Sequence, residues 1–208
     1  MKYNRIDAAL NIVIVVSTII AVGYYYVIGP DPVGVSSKET FSFFTTDSNL
    51  LVALTSVLVL SYNIRNVEPP TWVMKLRLMG VTAVTLTIVT VLVFLTWYDH
   101  SIGGAELALA LYQKNCFVMH ITTPMLSIIS FVMLERKPLL TKLDALCVML
   151  PMAIYAVVYL CLVVVGVWDD WYGFTFGGNY LLTAVSLLAM NLATYAIAVA
   201  LCTYRGKN

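Results

Sequence analysis

Six apolar runs of about 20 residues, divided by short polar segments, dominate this chain and fall at 8–27, 42–64, 78–97, 115–134, 146–167 and 180–202. About 20 helical residues cross a bilayer core of about 30 Å. Lipid offers no partner to an unpaired backbone group, which restricts spanning segments to helices and closed barrels, and these runs are far too long for barrel strands. The pattern therefore predicts an all-α fold, an integral membrane bundle of six transmembrane helices forming one domain over residues 1–208. No intervening segment is long or polar enough for a second domain, and the second half does not repeat the first.

Composition agrees: 61% hydrophobic and 11% charged residues over 208 positions leave more apolar surface than a soluble core of this size could hide. The first run follows Lys2 and Arg5, as in a signal peptide, yet it is too long, lacks an Ala-x-Ala pattern and ends on Tyr24, Tyr25 and Tyr26. An aromatic belt of that kind marks a helix end at the membrane interface, and the run is read as an uncleaved span.

The basic residues set the expected orientation. Lys2, Arg5, Arg65, Lys75, Arg77, Arg136, Lys137, Lys142, Arg205 and Lys207 fall at the two termini and in the even-numbered loops, against Lys38 and Lys114 on the other side. Short cytoplasmic loops hold the excess of Lys and Arg, so both termini are expected in the cytoplasm, at the plasma membrane if the source is prokaryotic. The outer loops would be 29–41, 98–114 and 168–179, which hold Asp99, Glu106, Asp169, Asp170, Trp171 and Tyr172. A net charge of +1 leaves no basic stripe for nucleic acid. Cys116, Cys147, Cys161 and Cys202 show no CxxC spacing, so neither a zinc site nor a disulfide framework is indicated.

Several polar residues inside the runs have a structural reading. Thr82, Thr85, Thr87 and Thr90 in the third run, and Ser186, Asn191 and Thr194 in the sixth, are expected to bond across helices or back to a carbonyl one turn earlier. Pro124 and Pro151 are expected to kink the fourth and fifth helices and free a carbonyl each.

Two stripes invite a chemical reading. The second run opens Phe43-Phe44-Thr45-Thr46-Asp47-Ser48-Asn49, in which helical spacing gathers Thr45, Ser48 and Asn49 within one arc and turns Asp47 the opposite way. The fourth has Gln113, Cys116, His120, Thr123 and Ser127 at spacings of three and four. Thr45 and His120 both lie a few residues inside the outer boundaries, about 5–8 Å deep at ~1.5 Å per residue, so they could meet. A desolvated imidazole favours its neutral form and can take a proton, a threonine hydroxyl attacks carbonyls only with such a base, and the resulting oxyanion needs donors. Ser48 and Asn49 are candidate donors, with Thr123 as an orienting group on the facing stripe. The structural alternative stands beside this one: Thr45 capping its helix and His120 satisfying a neighbouring span. His100, in the Trp97-Tyr98-Asp99-His100 segment, reads as an exposed loop residue.

At these residues the chain resembles the androgen-induced-gene family of multi-span membrane hydrolases, which cleave fatty-acid esters of hydroxy fatty acids, and their bacterial six-span relatives. The resemblance begins at Phe43-Phe44-Thr45, resumes at Met119-His120-Ile121-Thr122-Thr123-Pro124 ahead of Glu135, and has a third echo in Gly166-Val167-Trp168 before an aromatic loop. It implies Thr45 as nucleophile and His120 as base in a lipid-ester hydrolase, with the ungapped Phe-Phe-Thr register favouring Thr45 over Thr46. An acyl chain is then expected among Val52, Phe94, Phe117 and Val157, with no metal or organic cofactor. Two rivals are a solute-binding transporter subunit, docking through the small-residue pairs Ser17/Ala21, Ala189/Ala193 and Ala196/Ala200, and a lipid-binding protein of the same fold without catalysis.

Overall fold

The structure is a computed structural model describing residues 4–28, 37–135 and 138–205. The other residues, which include Lys2, Arg136, Lys137, Lys207 and most of the segment 29–41, lie outside this description. Six helices are long and apolar enough to cross a membrane: α1 Arg5–Val27, α2 Phe44–Ile64, α3 Thr71–Tyr98, α4 Lys114–Leu134, α5 Asp144–Val164 and α6 Tyr180–Arg205. No strand occurs among the described residues, and the chain is a multi-pass membrane protein.

The third helix is the most enclosed, with 56% of its apolar window buried against 22% for α6. It packs on α2, α4, α5 and α6, and its Val73, Met74, Leu78, Val81 and Val84 form the middle of the core. Gly80 allows α2 to approach: a Cβ there would lie 2.9 Å from Thr55 Oγ1 and 3.0 Å from the Val52 Cα. Without a hydrophobic force between helices in lipid, such close backbone contact is a main source of packing energy. Large apolar side chains such as Ile19, Ile20, Leu54, Val93, Ile154 and Leu188 point outward.

Two boundaries differ from the sequence expectation for physical reasons. The third helix starts at Thr71, ahead of 78, because Arg77 lies inside the bundle and does not mark a loop. The segment 98–114, expected to be an outer loop, is helical through Ala110, with a break at Gly104 (φ 72°, ψ −165°). That backbone conformation is open to glycine and costly for other residues. Pro151 also departs from expectation. It lies in the first turn of the α-helical stretch Met149–Val164, just after a 3₁₀ turn at Asp144–Val148, so it shapes the entry of α5 without kinking its middle.

At the bundle end that holds Asn4 and Arg205, buried polar groups tie five helices together. Arg77, fully buried, pairs with Glu135 at 2.8 Å and donates to Ser56 Oγ at 2.7 Å and to Asn11 Oδ1 at 3.0 Å. Ser130 Oγ lies 2.7 Å from both Asp7 and Glu135, and Asn63 donates to Asp7 at 3.0 Å. Arg205 donates to the carbonyls of Glu135 and Pro138 and covers the Phe131 ring at 4.7 Å. Charged groups survive in such a place only when paired and hydrogen-bonded.

Candidate active site

At the opposite end, α2 begins at Phe44 after a 3₁₀ turn at Ser37–Ser42, with Phe43 as its N-cap and no side-chain capping bond. Thr45 is thus not the cap, and its hydroxyl is left to point across the bundle. Its Oγ1 lies 3.4 Å from His120 Nε2. On the far side of the ring, Nδ1 lies 2.8 Å from the Leu111 carbonyl oxygen. A carbonyl only accepts, so the Nδ1 proton is fixed there and Nε2 presents its lone pair to the threonine hydroxyl. The Leu111 carbonyl is available because Leu111 closes the helix Thr96–Ala110, and the last carbonyls of a helix lack partners within it.

The helix holding His120 is widened at that point. Thr123 N–H bonds to the Val118 carbonyl five residues back, so the stretch Val118–Thr122 has π-helical turns. In that register the next donor would be residue 124, which is proline and has no N–H. The Met119 carbonyl so freed accepts from Asn49 Nδ2 at 3.0 Å, and the same nitrogen donates to the Thr45 carbonyl at 2.8 Å. Asn49 therefore fixes the backbones of both members of the pair. π-Turns inside α-helices are frequent at functional sites.

The remaining expected site residues divide. Ser48 Oγ donates to the Thr45 carbonyl at 3.0 Å and lies 3.1 Å from Thr87 Oγ1, so Ser48 and Asn49 orient the helix start instead of supplying oxyanion donors. Thr123 is fully buried beneath His120 on the stripe, and neither its Oγ1 nor Asn49 Oδ1 has a hydrogen-bond partner among the described residues. Cys116 and Ser127 continue the buried stripe, Cys116 Sγ lying 2.8 Å from the Tyr25 hydroxyl, while Gln113 is exposed. Thr46 is buried. Asp47 faces a separate small cavity of about 200 Å³ with Ser48, Tyr155 and Trp168, as its opposite placement on the helix requires. His100 is exposed.

The four residues expected around an acyl chain do not line one cavity. Of Val52, Phe94, Phe117 and Val157, only Phe94 lines the larger cavity, of about 640 Å³, between α3 and α6 beneath residues 172–176. Val52 is fully buried in the α2–α3 contact, and Phe117 and Val157 are exposed on the outer surface of the bundle. Val52 lies on the same face as Thr45, but Gly80 brings α3 so close that no space remains below. The cavity is partly open and walled mainly by Phe94, Leu95, Phe174, Phe176 and Met190. Four of the polar residues in α3 and α6 bond back to a carbonyl one turn earlier, Thr85 to Val81, Thr87 to Ala83, Asn191 to Leu187 and Thr194 to Met190, whereas Thr82 Oγ1 is buried without a hydrogen-bond partner among the described residues and Thr90 and Ser186 line the cavity. Among the small-residue pairs, Ala21 packs inside the bundle and Ala189, Ala193, Ala196 and Ala200 are exposed.

A contribution that sequence reasoning missed comes from the segment between α5 and α6. Its Tyr172 hydroxyl accepts the Phe44 N–H at 3.2 Å, one residue before Thr45. The segment is braced by Tyr159, whose hydroxyl donates to Asp170 at 3.0 Å and accepts the Tyr172 N–H at 3.2 Å. Asp170 also accepts from the Phe174 and Thr175 N–H groups and from the Thr175 hydroxyl. Burial alone would raise this carboxyl, but the bonds from Thr175, Tyr159 and Phe174 outweigh it and hold it below the usual carboxylate range. The Asp170–Thr175 spacing between aromatics was the available sequence signal.

Among the described residues, no three His, Cys, Asp or Glu side chains gather to hold a metal ion. Comparison of the chain with protein-family models, with curated proteins and with solved structures found no match.

Proposed function

We propose that this protein is a membrane-embedded lipid-ester hydrolase with Thr45 as nucleophile and His120 as general base, acting on fatty-acid esters of hydroxy fatty acids, as the resemblance to the androgen-induced-gene family implies. The observation that carries the reading is the directed chain from Thr45 Oγ1 to His120 Nε2 and from Nδ1 to the Leu111 carbonyl. Nucleophile, base and a third group that fixes the base in the right tautomer are the parts that activate a hydroxyl. A 3.4 Å separation is within the loose geometry common before substrate binds.

Thr45 Oγ1 attacks the ester carbonyl carbon while its proton passes to His120 Nε2. The tetrahedral intermediate collapses by breaking the bond to the alcohol oxygen, which leaves with that proton. Water then attacks the acyl-threonine, His120 takes its proton, and the carboxylic acid is released as the proton returns to Thr45. The apolar cavity beside Phe94 and Tyr172 would take the acyl chain, its about 640 Å³ falling within the ~300–1,000 Å³ range of small-molecule sites. With the termini in the cytoplasm, the site lies near the outer leaflet, where a substrate dissolved in lipid arrives sideways.

Turnover of a fatty-acid ester of a hydroxy fatty acid by purified protein in detergent tests the reading. Wild type and Thr46→Ala should release fatty acid, while Thr45→Ala and His120→Ala should not. A folded wild type that turns over no acyl ester would contradict it.

A further inference from the structure

We infer that Tyr172 is a further catalytic residue, its hydroxyl donating a hydrogen bond to the carbonyl oxygen of the ester that Thr45 attacks. This assignment rests on the hydrolase reading of Thr45 and His120, and it follows from accounting for donors around the nucleophile. Asn49 Nδ2 donates to two backbone carbonyls, those of Thr45 and Met119. Ser48 is engaged by the Thr45 carbonyl and Thr87. The Tyr155 hydroxyl gives its proton to the Ser42 carbonyl at 2.7 Å. Tyr172 differs from all three. Its oxygen accepts the Phe44 N–H at 3.2 Å, which sets the hydroxyl beside the backbone next to Thr45 and leaves its own proton out of that bond.

The same tyrosine forms part of the wall of the cavity of about 640 Å³, so it joins that cavity to the backbone next to Thr45. A carbonyl presented from that cavity to Thr45 Oγ1 brings its oxygen next to the tyrosine hydroxyl. As the Thr45 Oγ1–carbon bond forms, the π electrons of the carbonyl move onto that oxygen, and the Tyr172 O–H bonds to the resulting oxyanion without transferring its proton. When the oxyanion collapses, those electrons rebuild the carbonyl and the alcohol leaves with the proton held by His120. Desolvation pushes the Tyr172 hydroxyl up to about 12, which keeps it a donor at neutral pH. Its aim is set by ring contacts with Tyr159 at 5.6 Å, Phe174 at 5.5 Å and Phe43 at 6.3 Å, all of which Phe would keep.

The test compares wild type and Tyr172→Phe on a long-chain p-nitrophenyl ester, with a trifluoromethyl ketone of the same chain as mimic of the oxyanion and the matching fatty amide as mimic of the ground state. Loss of one oxyanion donor should lower kcat by about 100- to 1,000-fold with KM unchanged. Affinity for the ketone should fall by a comparable factor, and affinity for the amide should stay at the wild-type value, which also reports a folded protein. Equal loss of ketone and amide binding, or a kcat like that of wild type, would overturn the assignment. If the Phe variant does not fold, Asp170→Ala, which keeps the hydroxyl but releases the segment that aims it, is read by the same ketone-to-amide ratio. A wild type that neither hydrolyses the ester nor binds the ketone removes the hydrolase reading itself, and the Tyr172 assignment with it.

Discussion

Asn49 on α2 donates a 3.0 Å hydrogen bond to the Met119 carbonyl on α4, across the interface that brings Thr45 and His120 together. The acceptor exists because Pro124 supplies no N–H to it, so a proline in one helix and an amide in another are parts of one device. Asn49→Ala leaves two buried carbonyls with fewer donors, and an unmet buried polar group costs about 1–3 kcal/mol. Thermal unfolding in detergent should show a loss of that order, with a lower kcat for ester hydrolysis. Asn49→Asp should fare no better, because a carboxylate cannot donate.

The Arg77–Glu135 pair makes a second, separable prediction. Removing one partner of a buried pair leaves an uncompensated charge and costs about 3–5 kcal/mol, whereas replacing both by apolar residues is often neutral. Arg77→Met should therefore be strongly destabilised in a thermal melt, and Arg77→Met/Glu135→Met should recover much of the loss. Because the pair lies at the end of the bundle away from Thr45, the folded double variant should keep ester hydrolysis.

Much of the architecture was legible in the sequence because lipid imposes one rule, a long apolar run per helix, and the six runs obey it. The Thr45–His120 meeting was legible too, since 3.6-residue spacing collected polar residues on the inward stripes of two helices that enter from the same end. Charge misled where a charged residue was buried. Arg77 reads as a loop marker, but it pairs with Glu135 inside the bundle, so the third helix begins earlier than its apolar run. The partner of His120 was hidden because the segment 98–114 looks like a loop, and its helical course to Ala110 depends on packing that no local pattern records. Tyr172 was visible only as one of several aromatics, since its aim depends on Tyr159 and Asp170 holding the segment from below.

The cavity between α3 and α6 predicts chain-length dependence. Ala189 contributes to its wall, and Ala189→Phe would fill part of the space beside Met190 and Phe94. Long-chain esters should lose hydrolysis relative to short-chain ones in a competition between p-nitrophenyl esters of different length. An unchanged ratio would remove the acyl chain from this cavity.

Asp170 links pH to the order of the segment around Tyr172. A carboxyl held below its ordinary value stabilises the fold above the unfolded value of about 3.9 and loses that contribution as pH falls through the folded one. The segment should be unaffected between pH 5 and 8 and loosen in stronger acid. Fluorescence of Trp168 and Trp171, read against Asp170→Ala, should show an acid transition in the wild type that the variant lacks.

Labelling of the purified protein with a fluorophosphonate, with the adduct mapped by peptide mass spectrometry, tests whether Thr45 is a nucleophile activated by His120. The wild type should carry a phosphonylated Thr45, labelling should persist in Thr45→Ser and Thr46→Ala, and it should be lost in Thr45→Ala and His120→Ala. An adduct on any other residue, or a folded wild type that does not react, would contradict it.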